Sequence, residues 1–428
     1  MNTGNSAASR LPSLAGLRGF LGLVVLFGHM GFMSAIFTGS IQSALAVIVH
    51  LGVGIVSGFF TLSGFVLTWS HVPNDTARAF WRRRLVRLVP NYVLAWVAAI
   101  AFFTVSATVP ATLIAPEHDF KTSVATLFLV QCWIPDLQVC TGVNPPAWSL
   151  CCEVFFYAVF PVLIVLARRI PESMLRFTWL VTAGLTLTMP LIAETIKGPP
   201  AYPWLPVSSK AIWFVQAFPP VRLLEFLLGI LTAQLVLCGR WPKQSLPTGI
   251  AVLAAAIGAI PFLPPLFAQG AAISIPLCVI IGGLAAQDVQ QRSGFLARPT
   301  MVLLGDASYA LYITHFPLLL IVRTSLRGLE PFSLSASVLL FLGLMAGAQI
   351  VALVVYQYFE KPIAKRWSRS RKSRRDTRAK PTAAPAQHLS VSMRGQEPTA
   401  LPATQSNWVQ LPSKTQPTLS QRRTEYPQ

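Results

Sequence analysis

LAGLRGFLGLVVLFGHM, residues 14–30, is apolar apart from Arg18 and His29. Its length approaches the roughly 20 helical residues that cross a bilayer's hydrocarbon core. Arg10 precedes the run, as a basic residue precedes a secretory signal. However, Arg18 interrupts it, and no small-residue cleavage site separates it from the rest of the chain. It reads as a first transmembrane span.

Similar runs recur down the chain. Ten spans fit, at roughly 17–36, 45–69, 87–109, 153–168, 175–196, 211–238, 247–262, 269–286, 302–325 and 333–358. Pro219 and Pro220 divide the sixth. Thr122 to Ile134 is a shorter apolar run, to be expected as a re-entrant or interfacial segment. The composition agrees: of 428 residues, 53% are hydrophobic and 11% charged. Soluble domains carry about 25% charged residues. Mean hydropathy is +0.57. The expected fold is an all-α polytopic membrane protein with a membrane-embedded domain at 11–362. A basic, then polar, disordered cytoplasmic tail is expected at 363–428, where Pro, Thr, Ser and Gln dominate.

The net charge of +19 is concentrated in that tail. Lys361 to Gln428 carry 14 basic and 3 acidic side chains. Positive charge beside membrane spans follows from orientation and anionic lipid, so the high pI is poor evidence for nucleic-acid binding. Arg78, Arg82, Arg83, Arg84 and Arg87 lie between spans two and three. Arg168, Arg169 and Arg176, then Arg240 and Lys243, then Arg292 and Arg298 fall on the same side. Residues 37–44, on the other side, have no basic residue, although Lys197, Lys210, Arg323 and Arg327 run against the trend. The bias places both termini in the cytoplasm, with the plasma membrane as the expected location. Cys132 and Cys140 then fall in the longest external connection. Their compartment allows a disulfide that spacing alone does not establish. Six cysteines in this length are too few for a disulfide scaffold.

Ionisable residues inside spans are costly and are functional candidates by default. Arg18 and His29 are eleven residues apart, about 16 Å of rise and close to three turns, on similar helix faces. Arg18 has a plain reading as an interface anchor. His29, among Val, Leu, Phe and Met, needs a partner if it is only structural, and its ordinary pKa suits proton abstraction from a hydroxyl. In PPAWSLCCEVFFYAVFP, residues 145–161, Ser149 can cap a helix and Glu153 enters it with Tyr157 one turn on. Glu153 is a candidate to orient His29, accept a proton or bind substrate; the alternative is a solvated glutamate at the helix mouth. In RRRLVRLVPNY, residues 82–92, Arg84, Arg87 and Asn91 share a face, with Pro90 expected to kink or break the helix. Such arginines match phosphates bidentately, or simply flank a span.

Further candidates are Trp148 and Ser149 in the same block, Arg222 paired with Glu225 in VRLLEFLLG, and Tyr309 and His315 in GDASYALYITHFP, residues 305–317. With Tyr157 these are the candidate substrate contacts. His315 reads equally as a satisfied interfacial histidine. FFTLSGFVLTWS, residues 59–70, and the glycines at 52–58 read as close helix packing. No metal motif is present, neither HExxH nor a CxxC pair, and there is no P-loop or GxSxG elbow. Many spans, proline-broken helices and buried charge also suit a transporter, but no convincing repeat relates the two halves.

Taken in order, LRGFLGLVVLFGH, FFTLSGFVLTWS, RRRLVRLVPNY, AWSLCCEVFFYAVFP, VRLLEFLLG, GDASYALYITHFP and YFEKP resemble the integral membrane acyltransferase type 3 family from Leu11 to Pro362. The wording PSLAGLRG, residues 12–19, is similar to the subgroup acting on antibiotics. The resemblance implies O-acyl transfer, often acetyl, from acyl-CoA to a hydroxyl of a glycan, lipid-linked sugar or macrolide-like compound. It makes His29 the essential histidine and Arg18 its Arg-x10-His partner. Glu153 takes the acidic position, and Arg84 and Arg87 belong to the block that receives coenzyme A. Acyl-CoA is then a cosubstrate rather than a tightly bound cofactor. On this reading His29 deprotonates the acceptor, Glu153 orients the imidazole or the acceptor, and the oxyanion donors are unassigned.

Overall fold

The computed structural model describes residues 10–72, 75–106, 117–202 and 205–367. Ten of its helical segments are long and apolar enough to cross a membrane, from Pro12–Met33 to Leu334–Trp367. The chain is an all-α polytopic membrane protein. Helix α1 (Pro12–Gly28) continues into a π-helical turn, His29–Met33, and α2 (Gly39–Trp69) and α3 (Ala77–Val105) follow. Helices α4 (Phe120–Leu127) and α5 (Leu137–Cys140) are short, and α6 (Trp148–Arg168) and α7 (Leu175–Glu194) are long. A two-stranded antiparallel hairpin, β1 (Pro200–Tyr202) and β2 (Leu205–Ser208), pairs Pro200 with Ser208 and Tyr202 with Leu205. The chain continues as α8 (Ser209–Gln216), α9 (Pro219–Leu237), α10 (Ser245–Ala259), α11 (Ala271–Val289), α12 (Pro299–Ser325), α13 (Leu334–Val355) and α14 (Lys361–Trp367). The expected tail beyond Trp367 lies outside the described residues.

One local expectation is corrected. Pro90 does not break α3, which runs unbroken from its Thr76 cap, where the Thr76 side chain accepts the Ala79 N–H, to Val105. The Thr122–Ile134 run, expected as a re-entrant or interfacial segment, comprises most of α4 and a 3-10 turn at Gln131–Trp133. Trp96 Nε1 donates to Thr126 Oγ1 at 3.1 Å and the Tyr92 hydroxyl donates to the Thr126 carbonyl, so α4 is held against α3. Cys132 and Cys140 are buried free thiols with their sulfurs 3.2 Å apart. The sixth span divides as its prolines require, into α8 and α9, with Pro219 in the first turn of α9.

Two crossings position the interior. Helix α2 packs along α9, and α1 along α12. Small residues permit the close approach where apolar burial gives helices little drive to associate in lipid. A Cβ at Gly64 of α2 would stand 2.1 Å from the Phe226 carbonyl oxygen of α9, and one at Gly229 2.1 Å from the Thr61 oxygen of α2. The start of α1 has no cap from its own residues. Asp288, at the end of α11, supplies it: the Ser13 N–H and hydroxyl donate to its two oxygens at 2.9 and 2.6 Å. A carboxylate there meets both the orphan N–H groups and the positive end of the helix dipole.

Candidate functional site

One cavity, roughly 890 Å³ including its open mouth, gathers most of the candidate residues. It is walled by α1, α2, α3, α6 and α12. Its order of residues follows from the helices. Toward the C-terminal end of α2 is Leu67, with Arg84 and Arg87 from the first half of α3; deeper on α2 come Ser63, Phe60, Phe59 and Val56. From α6 come Tyr157, Glu153, Leu150 and Ser149, and from α12 Ser308, Tyr309 and Tyr312. Arg18 of α1 completes the wall. From Leu67 to Val56 is eleven residues, about 16 Å of helix rise, a deep slot with charge at its mouth and apolar rings within.

Of the expected site residues, the cavity brings together Arg18, Arg84, Arg87, Glu153, Ser149, Tyr157 and Tyr309. Glu153 does not touch His29. One of its oxygens accepts the Ser63 hydroxyl at 2.9 Å and the Tyr157 hydroxyl at 2.5 Å. Helical spacing made Tyr157 legible as a partner; Ser63 comes from another helix and read as packing. Arg87 is tied outward. It lies 3.8 Å from Glu360, which also accepts Asn91 Nδ2 at 2.7 Å, joining α3 to the π-helical turn Tyr356–Glu360. The Arg84 guanidinium stacks over Phe80 at 5.6 Å, and its buried Nε has no partner among the described residues. The Tyr309 hydroxyl donates to the Leu88 carbonyl at 2.6 Å, so this tyrosine offers the cavity its ring.

His29 and His315 sit beyond the inner end of this cavity and are not among its lining. His29 Nδ1 lies 2.8 Å from His315 Nε2. His315 Nδ1 lies 3.0 Å from the Leu311 carbonyl oxygen. A carbonyl only accepts, so His315 Nδ1 carries its proton. In a neutral ring its Nε2 then accepts, and His29 Nδ1 donates to it. The remaining nitrogen of His29, Nε2, is left with a lone pair. Tyr312 links pair and cavity: it lines the cavity, and its ring lies 6.1 Å from that of His315. Sequence reasoning noted Tyr312 in GDASYALYITHFP without assigning it a role, although its place one turn before His315 was a usable signal.

One expectation is corrected here, and two further candidates lie outside this cavity. Ser149 is not a cap, because α6 begins at Trp148 after Ala147; its hydroxyl donates to Tyr312 Oη at 2.9 Å instead. Trp148 is buried outside the cavity, edge-on to Phe60 and beneath the Arg222 guanidinium at 5.7 Å. Arg222 also lies apart, ion-paired with Glu225 at 3.0 Å and donating to the Gln269 carbonyl at 3.1 Å and the Ser57 hydroxyl at 3.0 Å. Both members of that pair are buried. Among the described residues no group of three or more His, Cys, Asp or Glu is placed to hold a metal ion.

The fold and cavity define an all-α polytopic membrane protein whose ionisable groups face one another within the bundle. The chain belongs to the Acyltransferase domain family, which matches residues 11–357. It is similar to the acyltransferase MdmB of Streptomyces mycarofaciens, with 36% identity over 319 residues, 72% of this chain and 78% of that protein. It is also similar to the exopolysaccharide production protein ExoZ of Rhizobium meliloti (strain 1021), with 26% identity covering 74% of this chain and 90% of that protein. The O-acetyltransferase OatA of Staphylococcus aureus (strain NCTC 8325 / PS 47) is 24% identical over 83% of this chain, which spans 57% of OatA's length. No solved structure matches this chain.

Proposed function

We propose that this membrane acyltransferase moves an acyl group, acetyl in the simplest case, from acyl-CoA to a hydroxyl of a sugar, glycan or antibiotic-like small molecule, with His29 as general base. The observation that carries the reading is the His29–His315 hydrogen bond. It fixes one tautomer of His29 and leaves Nε2 free to take a proton, while His315 is itself anchored to a backbone carbonyl. The acyl-transfer half rests on the family and on relatives named as an acyltransferase and an O-acetyltransferase.

The donor enters from the cytoplasmic side. Arg84 and Arg87 at the mouth, with Arg18 beside them, receive its phosphates, for which planar guanidinium forks are suited. The eleven-residue interval from Arg18 to His29, about 16 Å along a helix, gives an extended pantetheine arm room to carry its thioester toward the histidine pair. Glu153 is not the group that orients His29. Its bonds to Ser63 and Tyr157 place a carboxylate among three arginines, where it balances their charge and spaces them for the donor. The acceptor hydroxyl gives its proton to His29 Nε2 and attacks the thioester carbon. The C–S bond breaks, and the thiolate leaves with the proton returned by His29.

The test uses the full chain in nanodiscs, supplied with acetyl-CoA and extracts of candidate acceptors. Thiol release is followed together with a product gaining one acetyl mass. Acceptor-dependent release is expected. Solute flux in proteoliposomes without acyl-CoA, with no release under any acceptor, overturns the reading in favour of transport.

A further inference from the structure

Acyl transfer creates negative charge on the carbonyl oxygen of the thioester, and a general base at His29 gives that oxygen no hydrogen-bond donor. Resting on the acyl-transfer reading, we propose that the Tyr312 hydroxyl is the oxyanion donor and that Ser149 positions it.

At the inner end the lining is Val56, Phe59, Phe60, Leu150, Ser149 and Tyr312. Among these described residues only the last two bring side-chain hydroxyls, and hydrogen bonds order both. Ser149 donates to Tyr312 Oη at 2.9 Å, and the Tyr312 hydroxyl donates to the Pro146 carbonyl at 2.9 Å. Tyr312 alone of these residues also has a ring contact with the histidine pair, at 6.1 Å from His315. On this proposal the thioester carbon, attacked by an oxygen that His29 deprotonates, lies between Tyr312 and His29. Tyr309 has no such ring contact among the described residues, and its hydroxyl donates to the Leu88 carbonyl at the shorter distance of 2.6 Å.

The chemistry favours the transition state over the ground state. In the resting site the Tyr312 proton goes to a neutral carbonyl. As the acceptor oxygen bonds to the thioester carbon, the carbonyl electron pair moves onto oxygen, and a charged acceptor roughly doubles the strength of a hydrogen bond. The proton then turns from Pro146 to the oxyanion, so the interaction grows with the charge it stabilises. The Ser149 hydroxyl, donating to Tyr312 Oη, polarises the phenol and makes it the stronger donor. When the C–S bond breaks and the charge collapses onto sulfur, the proton returns to Pro146.

The experiment compares wild-type, Y312F, S149A and H29A proteins in nanodiscs with acetyl-CoA and an accepted hydroxyl compound. Y312F removes one oxygen atom and is expected to lower kcat by about 10²–10³-fold, with the acetyl-CoA KM within about threefold. S149A is expected to lose less, about tenfold, and to add nothing in the Y312F background. Y312F that turns over within about threefold of wild type, or loses only through KM, overturns the proposal. Should Y312F not fold, S149A with wild-type turnover overturns it equally. A wild type that acylates nothing removes this proposal together with the acyl-transfer reading. Active wild type, inactive H29A and unimpaired Y312F remove this proposal alone.

Discussion

His29 and His315 stand 286 residues apart in sequence and meet nitrogen to nitrogen at 2.8 Å. Their bond dictates which His29 nitrogen can act, because the far side of His315 is occupied by the Leu311 carbonyl. H315A therefore frees the His29 ring to rotate and to adopt the other tautomer. Turnover is expected to fall about 10²-fold, as for loss of an orienting partner in acid–base catalysis, with acetyl-CoA KM little changed. H315Q, whose amide oxygen can still accept the His29 Nδ1 proton, is expected to recover part of the loss. Equal activity of all three proteins contradicts a tautomer fixed by His315.

Arg84 and Arg87 line the cavity mouth together, and the buried Arg84 Nε has no partner among the described residues. R84A is expected to raise the acetyl-CoA KM about tenfold or more, as one charge-assisted contact does. R84K should recover only part, since an ammonium is not a planar fork. Wild-type binding should weaken with added salt at the exposed mouth. A KM unchanged in R84A and R87A alike places the donor elsewhere.

Arg222 and Glu225 are buried away from the cavity, and their partners are backbone and side-chain groups of the bundle. Breaking such a pair strands a buried charge and costs about 3–5 kcal/mol. R222A and E225A should therefore show lower folded yield and a lower Tm, while the acetyl-CoA KM of the folded fraction stays at the wild-type value. A full Tm with a raised KM for either substrate restores Arg222 as a substrate contact.

Asp119 caps α4, accepting the Thr122 N–H at 2.8 Å. Hydrogen bonding from Thr122 holds its carboxyl below the ordinary carboxylate range. A depressed folded pKa means that the contribution to stability is complete above the unfolded value, about 3.9. It is lost as pH falls through the folded value. Amide exchange at Thr122, corrected for intrinsic rates, should accelerate on acidification through that window, and D119N should abolish the pH dependence. Protection that does not change with pH in the wild type contradicts the cap.

The spans were legible because a bilayer demands long apolar runs, and Arg18, His29 and Glu153 stood out against them. The i,i+3 pair Arg222–Glu225 and the i,i+4 pair Glu153–Tyr157 were legible because helical spacing sets them side by side. Partnerships between helices were not. Two isolated ionisable groups, His29 and Glu153, invited pairing with each other. Each instead found a partner from a helix distant in sequence, His315 and Ser63, and no local period encodes that choice. The partners of Tyr312 were hidden for a similar reason. A tyrosine in an apolar helix reads as packing until its hydroxyl is found against Ser149 and Pro146. Of the two outcomes expected at Pro90, a kink or a break, the break does not occur, since α3 continues through it to Val105.

The most direct test of His29 as the base measures binding and turnover of acetyl-CoA on one purified H29A preparation, with an acceptor the wild type uses. The expected result is a Kd for acetyl-CoA within about threefold of wild type and turnover lower by about 10²–10⁴-fold, the span of general-base contributions. Near-normal turnover of H29A with that acceptor would contradict it.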